Sequence, residues 1–178
     1  NEKDYVTRMR KDNEDLKIID TTLSMEYDDG IEELWLDPSN FLMMAQNIKT
    51  GFSEYIDSYY LNEQISENFD KLNIEASNLD AEIKDLIQNG TSKAIVASDK
   101  LFKYLEKYGL TVYVLDEDSE DYQKTLSTVR SMINRGEIKN IYVKSNEDVS
   151  DSIEKLATDN NLTIQKWHTL ANITEDER

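Results

Sequence analysis

From Lys93 onward the chain alternates between short apolar runs and charged stretches of helical character, and that alternation limits the fold more than any other feature. Ala94-Ile95-Val96-Ala97 reads as a buried strand. Residues 99–108 read as a helix ended by Gly109, and Leu110-Thr111-Val112-Tyr113-Val114-Leu115 as a second strand. Residues 119–135 are helical and end at Gly136, and Ile138-Lys139-Asn140-Ile141-Tyr142-Val143 is a third strand. Residues 147–159 are helical, and Leu162-Thr163-Ile164-Gln165-Lys166-Trp167 is a fourth strand. Strict alternation of strand and helix implies α/β architecture: a four-stranded parallel sheet near 93–97, 110–115, 138–143 and 162–167, with helices on both faces.

The first half reads differently. Residues 4–14 are polar and helical. Leu16-Lys17-Ile18-Ile19-Asp20 reads as a short strand, and Asp28-Asp29-Gly30 as a turn. Asp37-Pro38 then opens a helix, with Asp37 suited to the N-cap and Pro38 to the first helical position, where a missing N–H costs nothing. Phe41, Met44, Ala45, Ile48, Phe52, Tyr55, Ile56 and Tyr59 follow at helical spacing. A second helix runs from about Asn62 to Gln88, roughly 40 Å at 1.5 Å per residue, and Asn89-Gly90 closes it. A break near Asn73, where β-branched and polar residues cluster, would count against a rigid connector. The expected organisation is a partial first lobe over 1–61, a long linking helix over 62–90 and an α/β lobe over 91–178.

Charge narrows the function. Thirty-seven acids stand against 20 Lys and Arg, a formal net charge of −17. That excludes ordinary phosphate-backbone binding, which needs clustered basic residues, so no nucleic-acid partner is expected. Adhesion to anionic lipid through a basic face is excluded on the same ground. The chain has no Cys, so disulfides and thiolate metal sites are absent. No run of about 18 apolar residues exists to span a membrane, so no direct membrane insertion is expected. The first residue is Asn1 rather than Met, as expected of a trimmed or processed chain whose signal or lipid-attachment Cys lies upstream.

Enzyme signatures are missing. There is no Cys nucleophile, no Gly-x-Ser-x-Gly elbow, no glycine-rich phosphate loop and no Rossmann fingerprint. Adjacent acids such as Glu32-Glu33 do not make a glycosidase dyad, and with 37 acids chance pairs are expected. No catalytic residue and no organic cofactor is assigned. Asp99 stands out by position: it follows the first strand of the sheet, and parallel sheets place ligands at such strand ends. Two roles are open to it, a ligand group or an N-cap for the following helix.

Two segments carry a family resemblance. Glu32-Glu33-Leu34-Trp35-Leu36-Asp37-Pro38 and Ser98-Asp99-Lys100-Leu101-Phe102-Lys103-Tyr104-Leu105-Glu106-Lys107-Tyr108-Gly109-Leu110 resemble the solute-binding lipoproteins of zinc and manganese ABC transporters. In that family a metal-binding His precedes the Trp of His-x-Trp-Leu-x-Pro by two residues. A second ligand, His or Glu, follows the Ser of Ser-(His/Glu)-x-x-Phe-x-Tyr. Asn78-Leu79-Asp80-Ala81-Glu82-Ile83 is similar to the family's linking helix, and Ile138 to Ala157 to the following strand and helix.

The resemblance implies two lobes joined by one rigid helix, with a divalent ion, zinc or manganese, held between them for delivery to a membrane permease. It implies an extracellular or periplasmic location with a lipid anchor. By position it makes Glu33 and Asp99 metal ligands. The segment Trp167-His168-Thr169-Leu170-Ala171-Asn172-Ile173-Thr174-Glu175-Asp176-Glu177 resembles the family's final motif, where an acid-bearing turn supplies the last ligand; here Ala171 stands where that acid is expected, and the sole histidine, His168, could take its place. Each has a plainer alternative: Glu33 as a solvated acid, Asp99 as a cap, His168 as a hydrogen-bonded surface residue. The family's first His and the His-rich loop of zinc members have no counterpart in this sequence. Two carboxylates and at most one imidazole suit hard cations better than zinc, so zinc affinity weaker than about 1 μM, or −8.2 kcal/mol, is expected. The alternative function is a surface interaction module on the same fold, without metal.

Overall fold

The four apolar runs form one parallel sheet. In the computed structural model, which describes residues 2–13, 15–26 and 34–170, the strands are β1 (Ala94–Ala97), β2 (Thr111–Val114), β3 (Asn140–Lys144) and β4 (Thr163–Trp167). Their order is β2-β1-β3-β4. Val96 pairs with both Tyr113 and Ile141, and Lys144 pairs with Trp167. The chain runs outward from β1 to β2, then crosses back over to β3, so the order reverses beside β1. In open α/β sheets ligands bind at the carboxyl ends of strands flanking such a reversal.

Alternation along each strand builds two cores. Val96, Ile141 and Val143 face α4 (Tyr122–Asn134) and α5 (Asp151–Asn160), packing on Leu126, Val129, Met132, Ile153 and Leu156. Ala97, Val112 and Tyr142 face the opposite side, against Leu101, Phe102, Leu105 and Tyr108. Ile83 and Ile87 of α3 (Tyr59–Asn89) and Leu36 join this second cluster. Both faces of the sheet are therefore covered, as the strict alternation requires.

The segment after β1 departs from the expected α-helix. Lys100–Tyr108 is a 3₁₀ helix of nine residues, far longer than the usual three or four. The spacing explains it. Phe102, Leu105 and Tyr108 are buried and lie three residues apart, so a helix of three residues per turn stacks them on one face. The helix stops at Gly109, whose φ of 94° lies in the left-handed region and whose N–H donates to Glu106 O at 2.9 Å. Glycine adopts that backbone without a Cβ penalty.

Upstream lie α1 (Glu2–Asp12), α2 (Pro38–Tyr55) and α3. α2 stops earlier than its spacing suggests: Ile56 falls beyond it, and Tyr59, expected on its apolar face, opens α3 instead. α3 is 31 residues long and runs unbroken through Asn73. Residues 16–20 do not form the expected strand. A strand needs a ladder partner, and all four strands among the described residues belong to the sheet above. Ile19 instead packs on Gly51 of α2, so closely that a Cβ there would lie 2.6 Å from its side chain. Asn47 fixes the same segment, its Nδ2 donating to the carbonyls of Thr21 at 2.8 Å and Leu23 at 3.1 Å. The turn at Asp28-Asp29-Gly30 lies outside the described residues.

By contacts the chain divides into two compact units. One comprises Asn1–Glu26 with Pro38–Ser77, the other Tyr27–Asp37 with Asn78–Arg178. α3 contributes to both.

Candidate functional site

β1 ends at Ala97, and Asp99 is the first side chain with charge beyond it. Its backbone is extended, with φ −139° and ψ 149°, as an N-cap requires. Oδ1 accepts the N–H of Leu101 at 2.6 Å. The cap is therefore formed, and it starts the 3₁₀ helix. Oδ2 faces Lys144 Nζ at 3.2 Å. Lys144 is the last residue of β3, and its side chain is only 11% exposed. The same ammonium contacts Glu147 Oε1 at 2.5 Å. Ser98 N–H donates to Tyr142 O at 2.9 Å, holding the end of β1 against β3. Of the two roles the sequence leaves open for Asp99, the structure shows the cap; the neighbouring Lys144 was not singled out by the sequence reading. The available signal was a cation closing an apolar strand in Tyr142-Val143-Lys144.

His168 follows β4 directly. Its Nδ1 accepts the N–H of Leu170 at 2.9 Å, closing a turn in which Leu170 takes a left-handed φ of 61°. A neutral imidazole that accepts at Nδ1 carries its proton on Nε2. Metal ligation by His168 therefore requires this turn to release one nitrogen. His168 lines a cleft of about 250 Å³ with Leu36, Phe102, Tyr104 and Trp167. Trp167 sits between two rings, 5.5 Å from Phe102 and 5.0 Å from Tyr142 by centroid. The sheet order places β3 between the strands that carry Asp99 and His168. Those strand ends are thus about 10 Å apart, two strand spacings.

Glu33, the third expected ligand, lies outside the described residues. Next to it in the chain, Leu34–Leu36 forms a short 3₁₀ turn in which Leu34 is buried. Trp35 Nε1 donates to Thr169 O at 2.9 Å. The Trp-Leu-Asp-Pro segment and the turn after β4 are therefore in direct contact, and Trp35 and Leu36 pack as expected of structural residues.

Asp37 is bound from the side: its Oδ1 lies 2.5 Å from Lys107 Nζ. The same ammonium reaches Asp80 Oδ1 at 3.1 Å, and the Tyr108 hydroxyl donates to that oxygen at 2.6 Å. The Tyr108 hydrogen bond, joined by Lys107, holds the Asp80 carboxyl below its ordinary range against some desolvation. Burial, then the bond to Asp80, pushes the Tyr108 phenol up to about 12. This network ties the Asp37 segment, α3 and the 3₁₀ helix together.

Of the expected ligands, Asp99 and His168 are described. Among the described residues no three His, Asp or Glu side chains are gathered to hold a metal, and a closed transition-metal site wants three or four donors. As placed, Asp99 and His168 are each engaged with protein partners.

The model of the zinc-uptake complex component A family, periplasmic, matches residues 2–178. No curated protein matches the chain by sequence. Solved structures give the fold. A zinc-bound ZnuA with residues 138–173 deleted superposes with a TM-score of 0.76 at 16% identity, over 96% of this chain and 68% of that one. AdcAII of Streptococcus pneumoniae gives 0.72 at 20% identity, over 91% and 64%. The metal-dependent lipoprotein YcdH of Bacillus subtilis gives 0.68 at 18% identity, over 89% and 61%. Transport, not enzymatic catalysis, defines this family. With its model matched along nearly the whole length and the same fold in three such proteins, the chain belongs to the periplasmic zinc-uptake component family, the metal-type solute-binding proteins of ABC transporters.

Proposed function

We propose that this chain captures a divalent cation through carboxylate donors and hands it to the permease of an ABC transporter. Asp99 is the principal donor, with Glu33 and His168 as its partners. The observation that carries this reading is the place of Asp99, at the carboxyl end of β1 beside the strand-order reversal. That is where open α/β sheets bind ligands. Carboxylate oxygens select hard ions such as manganese over zinc, and a net charge of −17 draws cations to the surface.

The lobe assignment belongs to the same reading: residues 1–61 in a first lobe, 62–90 linking, 91–178 forming the second. So does a location outside the cytoplasmic membrane, which the periplasmic family description supports. No helix among the described residues is long and apolar enough to cross a membrane.

A ligand that binds only the folded state raises the melting temperature with concentration. Manganese is expected to raise the melting temperature of this protein reversibly, the rise disappearing with EDTA and in Asp99→Ala. A melting temperature indifferent to manganese and zinc would remove the cation-carrier reading and leave a metal-free interaction module.

A further inference from the structure

We propose that Lys144 is a resident cation of the candidate site, an internal competitor that a divalent ion must displace from Asp99. The proposal rests on the cation-carrier reading above and adds a control on affinity. It starts from three placements. Lys144 ends β3, the strand lying between those that carry Asp99 and His168. Its ammonium lies 3.2 Å from Asp99 Oδ2 and 2.5 Å from Glu147 Oε1. Its side chain is 11% exposed, whereas those of Asp99 and Glu147 are 34% and 51% exposed.

A positive charge held between two carboxylates does electrostatically what a bound divalent ion would do. It offsets their mutual repulsion and joins the start of the 3₁₀ helix to the loop after β3. It differs in valence and in geometry. An ammonium donates three hydrogen bonds and carries one charge, whereas a divalent ion accepts oxygen lone pairs directly. Lys144 and an ion at Asp99 Oδ2 therefore exclude each other. Lys144 also walls a cleft of about 230 Å³ that includes Asp116, Glu117, Glu147 and Asp148. Negative clefts concentrate cations, so this one draws divalent ions to the side of Lys144. Asp99 Oδ1 keeps the Leu101 N–H throughout, so displacement does not dismantle the helix cap.

Calorimetric titration with manganese of wild type, Lys144→Gln and Lys144→Gln/Asp99→Asn tests this. Lys144→Gln is expected to bind at least about tenfold tighter than wild type, and the added Asp99→Asn to abolish the gain. Equal or weaker binding by a folded Lys144→Gln protein, with wild type still binding, would overturn the proposal alone. Binding by neither protein would remove the carrier reading and the proposal with it. Should Lys144→Gln fail to fold, the wild type decides: the Lys144 side-chain carbon resonances should move during a zinc titration with the midpoint of binding. Resonances that stay fixed while zinc binds would equally refute displacement.

Discussion

Asp99 illustrates how one carboxylate can hold two roles with separate oxygens. Oδ1 caps the 3₁₀ helix and Oδ2 faces a cation. Its position after a strand was legible in the sequence, and so was the choice between cap and ligand. What could not be read was the partner, because Lys144 arrives from a strand that is adjacent only through the sheet order. Asp99→Ala should lower stability in metal-free buffer by about 1 kcal/mol, the usual loss of a cap; urea denaturation with EDTA present measures it. A second residue-scale expectation concerns Asp80. Its carboxyl pKa is held low by the Tyr108 hydroxyl and then by Lys107. A depressed folded pKa gives stability that is present above the unfolded value of about 4 and lost as pH falls through the folded one. Asp80→Asn should thus cost stability at pH 7, on the order of 0.5 kcal/mol once solvent screening is discounted, and flatten the acid limb below pH 4. Urea midpoints across pH 2–7 give both quantities. An unchanged acid limb would show that the Asp80 interactions do not persist in solution.

Among the elements, α2 and the 3₁₀ helix show what periodicity reveals and what it conceals. Spacing located both, yet only the 3₁₀ helix buries its stripe: Phe102, Leu105 and Tyr108 are buried, whereas Phe41, Ile48, Phe52 and Tyr55 of α2 are exposed. The same stripe in 102, 105 and 108 also fits three residues per turn, and reading it as an α-helix missed that. The run 16–20 looked like a strand by composition alone, yet strand formation depends on a neighbour that sequence does not display. Instead Ile19 closes over Gly51. Gly51→Ala should destabilise the helical unit by about 1–2 kcal/mol: overpacking costs about 1–3 kcal/mol, and better helix propensity returns up to about 1 kcal/mol. Ile19→Ala with Gly51→Ala should recover part of that loss, a coupling that thermal denaturation of the single and double variants resolves. Equal losses with no recovery would mean that Ile19 and Gly51 are not in contact.

For the molecule as a whole, the parallel sheet was the most legible feature, since four apolar runs separated by helices leave few other topologies. The metal site was legible only as a set of positions. Its donors come from segments far apart in the chain, and the competing ammonium comes from yet another. The account's central claim is that Asp99 receives a divalent cation here, weakly, because it already has a cation. Isothermal titration of this protein with zinc and manganese, beside Asp99→Asn, tests that claim most directly. The prediction is saturable one-site binding of both ions, zinc weaker than about 1 μM, with both isotherms lost in Asp99→Asn. A flat isotherm for both ions, or binding that Asp99→Asn leaves unchanged, would contradict it.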